Sequence, residues 1–279
     1  IAEPAGHASA EPAPHFRDPP MITVHHLNQS RSHRVLWMLE ELSLPYELTC
    51  YERDRDTLRA PASLKAVHAL GKSPVITDGT RVVAESGAIL EYLQEAHGEG
   101  RLRPAPGTDE ALRCRYWLHY AEGSAMPPLL LKLVFDRIEK APMPFFIKPV
   151  AKGIARKAKE SFILPQIRTH LDFIEAELAQ GPWFAGREFS LADIQMSFPL
   201  EAAAQRAGLG ASHPRLTAFL KRIHARPAYR RALERGAARP AAADHLHRSL
   251  SRLSHRHAGA ADGGTDTSQR RVDFMRNDF

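Results

Sequence analysis

The feature that most constrains the fold is a short hairpin between residues 74 and 84. The runs PVIT and RVVA are short and rich in β-branched residues, and Asp78 and Gly79 separate them. Asp-Gly between two such runs is a strong signal for a β-hairpin turn. Any fold of this chain must therefore accommodate two short, consecutive antiparallel strands here.

The segments around the hairpin alternate between strand and helix patterns. The run MITVHHL predicts a strand, and apolar residues at helical spacing follow it. The run YELTCY predicts a second strand, and PASLKAVHAL predicts a short helix. A further helix is predicted to open at Glu85 and Ser86. The resulting order is βαβαββα, the thioredoxin-like order, so we expect an α/β N-terminal domain.

The chain after this pattern is predicted to be all helical. A Gly/Pro-rich stretch separates the two patterns, and both ends of the chain have compositions that favour disorder. The predicted segments are a disordered extension (1–20), the thioredoxin-like domain (21–98), a linker (99–107), an all-helical domain (108–238) and a largely disordered tail (239–279).

Composition narrows the class of protein. Cys50 and Cys114 are too few and too far apart for a disulfide framework, which favours a reducing, cytoplasmic compartment. We find no secretory leader and no apolar run long enough to span a bilayer. The net charge is +6, but the densest basic stretch, residues 148–159, fits the solvated face of an amphipathic helix. We therefore expect no nucleic-acid partner, no membrane partner and no metal.

Polar residues lie between the first predicted strand and the first predicted helix, within LNQSRSHRVLWMLEEL (27–42). Hydroxyls and amides there stand beside unpaired N–H groups and the positive end of a helix dipole. Such donors favour the thiolate form of a thiol, whose ordinary pKa is about 8.5. The alternative is that Ser30 or Ser32 only caps the helix.

A second polar segment surrounds the hairpin, within residues 70–93. Pro74 opens a strand after a polar loop, where X-Pro bonds are used in the cis form, and Val75 would then offer its main chain to an extended peptide ligand. Glu85 and Ser86 combine a carboxylate for an ammonium with N–H and hydroxyl donors for a carboxylate. They can therefore hold an amino-acid headgroup. The alternative is a plain helix start, in which Glu85 complements the dipole.

A third segment, residues 182–200, carries a structural signal. Ser190 and Asp193 have the spacing of a capping box, with Asp in place of the commoner Glu. We expect this box to begin a buried helix and assign it no chemistry.

These three segments, in this order and at these separations, resemble the soluble glutathione S-transferase family over about residues 21–235. The first segment is most similar to bacterial and fungal theta- or beta-like members. The resemblance implies glutathione as co-substrate, a homodimer, and a detoxifying transferase that conjugates the glutathione thiolate to small hydrophobic electrophiles. It also implies glutathione peroxidase activity as a side reaction.

The resemblance further implies site residues. Glutathione contacts in the family come from a G-K-x-P-V segment and an E-S pair. The matching residues here are Lys72, Ser73, Pro74, Val75, Glu85 and Ser86, to which we add Asn28. The electrophile pocket is expected between the two halves, at Tyr116, Trp117, Tyr120 and Met126. The alternative for these four is that an aromatic stripe at helical spacing belongs to the core.

The catalytic position departs from the family pattern. Family members activate the thiol with Tyr, Ser or Cys near the end of the first strand, and residues 21–44 contain neither Tyr nor Cys. The corresponding position falls on Gln29. Ser30 is the nearest hydroxyl and is our catalytic candidate, with Asn28, Ser32 and helix N–H groups as alternatives. The alternative function is a non-catalytic binding or interaction module.

Overall fold

The computed structural model describes residues 21–28, 30–54, 57, 59–209 and 212–237. The predicted extensions at 1–20 and 239–279, and Gln29, lie outside the described residues. The predicted thioredoxin-like order is confirmed: β1 (Ile22–Leu27), α1 (Ser32–Leu42), β2 (Tyr46–Tyr51), α2 (Ser63–Val67), β3 (Val75–Asp78), β4 (Arg81–Ala84) and α3 (Ser86–His97).

The four strands form one mixed sheet in the order β2-β1-β3-β4. The β1 and β2 strands are parallel, and the predicted hairpin closes with Asp78 opposite Arg81. His25 pairs with Val75, and Val75 pairs with Ala84. The end of β1, the start of β3 and the end of β4 therefore meet at one edge of the sheet.

The second half is helical. Its elements are α4 (Asp109–Tyr120), α5 (Met126–Lys140), α6 (Lys148–Ala158), α7 (Leu164–Glu177), α8 (Leu191–Arg206), α9 (Pro214–His224) and α10 (Pro227–Ala237). Short π-helical turns join α4 to α5 and α6 to α7. Each turn directly precedes a helix with proline in its first positions, where a missing backbone N–H costs least.

The core connects the two halves through α1. Trp37 of α1 is fully buried, and its ring lies 5.6 Å from Phe189 and 5.1 Å from Tyr229 of α10, measured between centroids. The helix is also in contact with the sheet, α3 and α8. Because α1 is packed on all these sides, the residues at its N-terminus are held by both halves of the molecule.

The predicted capping box is confirmed at the start of α8. The fully buried Asp193 carboxylate accepts hydrogen bonds from the backbone N–H and hydroxyl of Ser190, at 2.8 and 3.1 Å. It also accepts one from the backbone N–H of Phe184 at 2.8 Å. This box begins the buried helix that supports α1.

Candidate active site

The candidate site lies at the sheet edge where β1, β3 and β4 meet. The N-terminus of α1, the loop before β3 and the N-terminus of α3 all lie there, as the strand register requires. The Ser73–Pro74 peptide bond is cis, which confirms the prediction for Pro74. The two polar segments of the sequence analysis are thus brought to one place.

Three serine hydroxyls form a cluster at this edge. The Ser30 oxygen lies 2.7 Å from the Ser32 oxygen and 3.4 Å from the Ser73 oxygen. The backbone N–H of Ser32 donates to the Ser30 oxygen at 3.2 Å. Ser32 is completely buried, whereas Ser30 keeps 8 % of its surface exposed. Ser30 is therefore the member of this pair that a ligand can reach.

A buried histidine stands behind the cluster. The Nδ1 atom of His26 lies 2.8 Å from the Ser32 oxygen. Burial, with a smaller effect from His33, lowers the pKa of His26 to about 4, although a hydrogen bond to the backbone of Gly236 acts in the other direction. The imidazole is therefore neutral near pH 7.

Glu85 stands in an unusual backbone conformation directly before α3. Its φ is 72° and its ψ is 125°, values that a residue with a side chain rarely adopts, and its side chain makes no capping hydrogen bond. The carboxylate is exposed to solvent. These observations argue against the plain helix-start interpretation, because backbone strain of this kind collects at functional sites.

A buried arginine holds Ser86, the first residue of α3. Arg34 of α1 donates to the Ser86 hydroxyl oxygen at 2.9 Å and to the carbonyl of Gln195 at 2.9 Å. Its guanidinium also forms an ion pair with Glu122. Glu122 forms a second ion pair with Arg31, at 3.0 Å. Burial would raise the pKa of Glu122, but Arg34 and Arg31 outweigh it, so the pKa is lowered.

Sequence reasoning missed Arg31, Arg34 and Glu122. The available signal was a charged residue, Arg34, directly before the apolar run VLWML of α1. Glu122 gave no signal, because it lies 88 residues from Arg34 along the chain. The site therefore contains a contribution from the helical half that local patterns do not show.

Two residues predicted to contact glutathione, Val75 and Asn28, have partners within the protein. Val75 is buried and paired with β1 on one side and β4 on the other, so its main chain belongs to the sheet. Ser73, before the cis bond, lies outside the ladder. The side-chain oxygen of Asn28 accepts from the backbone N–H of Arg53 at 3.0 Å, which holds the segment after β2. Lys72 is exposed beside Ser73.

Three of the four residues predicted for the electrophile pocket are buried in the helical half. Trp117, Tyr120 and Met126 are buried, and Trp117 packs against Phe173 and Phe184 in the helical core. Tyr116, on α4, is half exposed. The burial of Trp117, Tyr120 and Met126 favours the core interpretation for these three residues. The sequence could not distinguish the two, because an apolar stripe fits a core and a cleft equally well.

Within the part of the chain that the structure describes, no helix combines the length and hydrophobicity needed to cross a bilayer. Among the same residues, no group of three or more His, Cys, Asp or Glu side chains is placed to hold a metal ion. The histidines of the C-terminal tail, His245, His247, His255 and His257, lie outside the described residues.

Family models match both halves of the chain. Residues 30–96 match "Glutathione S-transferase, N-terminal domain" and residues 136–227 match "Glutathione S-transferase, C-terminal domain". Among curated proteins, Glutathione S-transferase 1 of Saccharomyces cerevisiae is 33% identical over 78% of this chain and 97% of its own length. Glutathione S-transferase 3 of Schizosaccharomyces pombe is 34% identical over 77% of this chain and 88% of its own.

Solved structures show the same similarity. A glutathione S-transferase of Actinobacillus pleuropneumoniae is 34% identical, with a TM-score of 0.63, over 77% of this chain and 93% of its own. A sphingomonad glutathione S-transferase, solved in complex with glutathione, matches in fold with a TM-score of 0.60 at 24% identity, over 78% of this chain and 100% of its own.

Proposed function

This chain belongs to the glutathione S-transferase family, and from that premise we propose how its own residues bind glutathione and activate the thiol. It is a transferase with glutathione as co-substrate. The observation that carries the proposal is the meeting, at one sheet edge, of the serine cluster, the cis Ser73–Pro74 bond and the strained Glu85.

The γ-glutamyl end of glutathione binds at the start of α3 in this proposal. The exposed Glu85 carboxylate takes the ammonium, and the first N–H groups of α3 take the carboxylate. The Ser86 oxygen accepts a hydrogen bond from Arg34, so the Ser86 hydroxyl proton points away from Arg34. That proton is available to the glutamyl carboxylate of glutathione. The fixed orientation lowers the entropy cost of binding.

The cysteinyl part binds along the loop before β3. Ser73 precedes β3, so its main chain lies outside the strand pairing of the sheet and can pair with the peptide backbone of glutathione. The exposed Lys72 adds positive charge beside it. This arrangement directs the sulfur toward Ser30. A hydrogen bond from Ser30 then stabilises the thiolate, which attacks the electrophilic centre of a small hydrophobic second substrate held close to it.

We expect Glu85→Gln to raise the glutathione KM about tenfold or more, because the change removes the charge that meets the ammonium. Conjugation of chlorodinitrobenzene at varied glutathione concentration measures this. Glu95→Gln is the matched control, since Glu95 is also exposed on α3 and pairs with Arg103 at the surface. Equal KM values for the two variants contradict the assignment of Glu85. Glutathione binding by the unaltered protein without turnover supports the binding-module alternative instead.

We further propose a cytoplasmic homodimer. Both cysteines are free thiols, as expected in a reducing compartment. Val82 on β4 and Leu112 and Tyr116 on α4 are large apolar side chains that are about half exposed or more, and a second copy would cover them. Sedimentation velocity at micromolar concentration is expected to show a dimer. A monomer at that concentration contradicts this prediction.

A further inference from the structure

The segment around α6 exposes large apolar side chains to solvent. Phe145 and Phe146, in the loop that leads into α6, are 86 % and 66 % exposed. Ile147, Val150 and Ile154, at the start of α6 and within it, are exposed as well. Residues spaced three and four positions apart lie on one face of a helix. This face, together with the two phenylalanines beside it, is the α6 patch.

This exposure changes the interpretation of the basic stretch at residues 148–159. Taken alone, its cations predict the solvated face of an amphipathic helix and no membrane partner. An amphipathic helix of a globular protein normally buries the opposite, apolar face against the core. In the structure, α6 packs against α5, but Ala155 is the only one of its eleven residues that is buried. The apolar face of α6 is therefore available to a partner.

Positive charge shares the helix with the α6 patch. Four exposed cations have side chains that form no ion pair or hydrogen bond among the described residues: Lys148, Lys152, Arg156 and Lys157. Residues 141–159 contain no Asp or Glu that would neutralise them. Lys159 differs, because it pairs with Asp136 and Glu139 of α5. The segment therefore presents apolar side chains and unneutralised positive charge side by side.

The charge decides between a lipid surface and a second copy of the chain as the partner of the α6 patch. In a two-fold symmetric contact the same surface meets itself, so the four cations of one copy would face those of the other. Like charges placed together across an interface oppose association. A membrane with anionic lipids instead offers negative headgroups above an apolar interior, which matches cations beside apolar side chains.

We propose that residues 145–157 bind the surface of membranes that contain anionic lipids. The α6 helix lies in the plane of the surface, and the apolar side chains of the α6 patch enter the boundary between headgroups and acyl chains. The lysines and Arg156 extend their charged ends to the lipid phosphates. This site goes beyond the proposed function, because it concerns where the enzyme is held. Small hydrophobic electrophiles concentrate in the same lipid, since their apolar surface avoids water.

Flotation of the unaltered protein with lipid vesicles is the first test. One set of vesicles is phosphatidylcholine alone, and the other contains equal amounts of phosphatidylcholine and phosphatidylserine. We expect binding to the anionic vesicles to be at least about tenfold tighter. Added salt should release the protein, because it screens the attraction between the cations and the headgroups. Equal affinity for the two sets of vesicles, or no binding to either, overturns the proposal.

A double variant, Phe145→Ser with Phe146→Ser, tests the apolar part of the site. We expect its affinity for the anionic vesicles to fall at least about tenfold, because two aromatic side chains no longer leave water for the lipid. Leu70→Ser is the control, since Leu70 is 61 % exposed in the loop before β3 and lies outside the α6 patch. An unchanged affinity in the phenylalanine variant overturns the proposal.

A triple variant tests the charged part of the site: Lys148→Gln, Lys152→Gln and Arg156→Gln. Each cation near an anionic surface contributes about fivefold to binding, so we expect about 100-fold weaker binding to the anionic vesicles. A control with the same net charge removes three exposed cations from α2, the loop before α8 and α9: Lys65→Gln, Arg187→Gln and Lys221→Gln. An equal loss in the two triple variants means that net charge is responsible, which overturns the proposal.

Two further measurements separate this site from other partners and from the transferase assignment. Conjugation of chlorodinitrobenzene in solution should be unchanged in all these variants, which also shows that they are folded. If the unaltered protein ignores the vesicles and the phenylalanine variant breaks up a larger assembly in sedimentation velocity, a second copy covers the α6 patch and the proposal is overturned. If the unaltered protein binds the anionic vesicles as expected but does not turn over, only the proposed function fails.

Discussion

Ser30→Ala is expected to lower kcat for conjugation of chlorodinitrobenzene by about 100-fold, with little change in the glutathione KM. Ser30 is the partly exposed end of the serine cluster, and its hydroxyl is the donor assigned to the sulfur. Alanine leaves the thiolate without this donor, whereas the contacts at Glu85 and Ser86 are unaffected. An interaction that is stronger with the thiolate than with the thiol changes kcat more than KM.

Steady-state kinetics at pH 6.5, with the thiolate absorption of the bound glutathione read in parallel, measures this effect. Ser63→Ala is the control, because Ser63 is an exposed serine at the start of α2. If Ser30→Ala keeps its rate and its thiolate signal, the donor is one of the alternatives: Asn28, Ser32 or the backbone of α1.

Arg34→Met is expected to lower the free energy of unfolding by about 3 kcal/mol and to raise the glutathione KM as well. The substitution leaves the Ser86 oxygen and the Gln195 carbonyl without their buried donor. It also removes one of the two cations at Glu122. We take the lower end of the range for a broken buried ion pair, because Glu122 is one-third exposed and keeps Arg31.

Urea unfolding and glutathione titration of the same sample measure the two effects. Arg113→Met is the matched control, since Arg113 pairs with Glu177 near the surface, and we expect it to cost at most about 1 kcal/mol. A loss below about 1 kcal/mol in Arg34→Met contradicts the expectation that its buried contacts with Ser86, Gln195 and Glu122 stabilise the fold. Unchanged stability with a raised KM restricts its role to orienting Ser86.

Local signals in the sequence were sufficient for the order of elements and for several details of the site. The Asp78-Gly79 hairpin, the capping box at Asp193 and the cis bond before Pro74 all agree with the structure. Each depends on residues within a few positions of one another, because turn geometry and helix capping are properties of short segments. The βαβαββα order followed from the same kind of signal.

The sequence alone did not show which side of each segment faces the site. The spacing of Trp117 and Tyr120 predicts an apolar face, but only the packing of α7 and the segment at Phe184 shows that this face lies in the core. Strand pairing likewise decides that the main chain of Val75 is used within the sheet.

By itself, then, the sequence determined the family, the element order and the short polar segments that form the sheet edge. The tertiary structure alone decided the long-range partners: Glu122 with Arg34, Gln195 with Arg34, and Gly236 with His26. These pairs lie far apart along the chain and come together only when the helical half packs against α1 and the sheet. Local periodicity cannot predict such contacts, because it reports which residues are apolar and not what each element packs against.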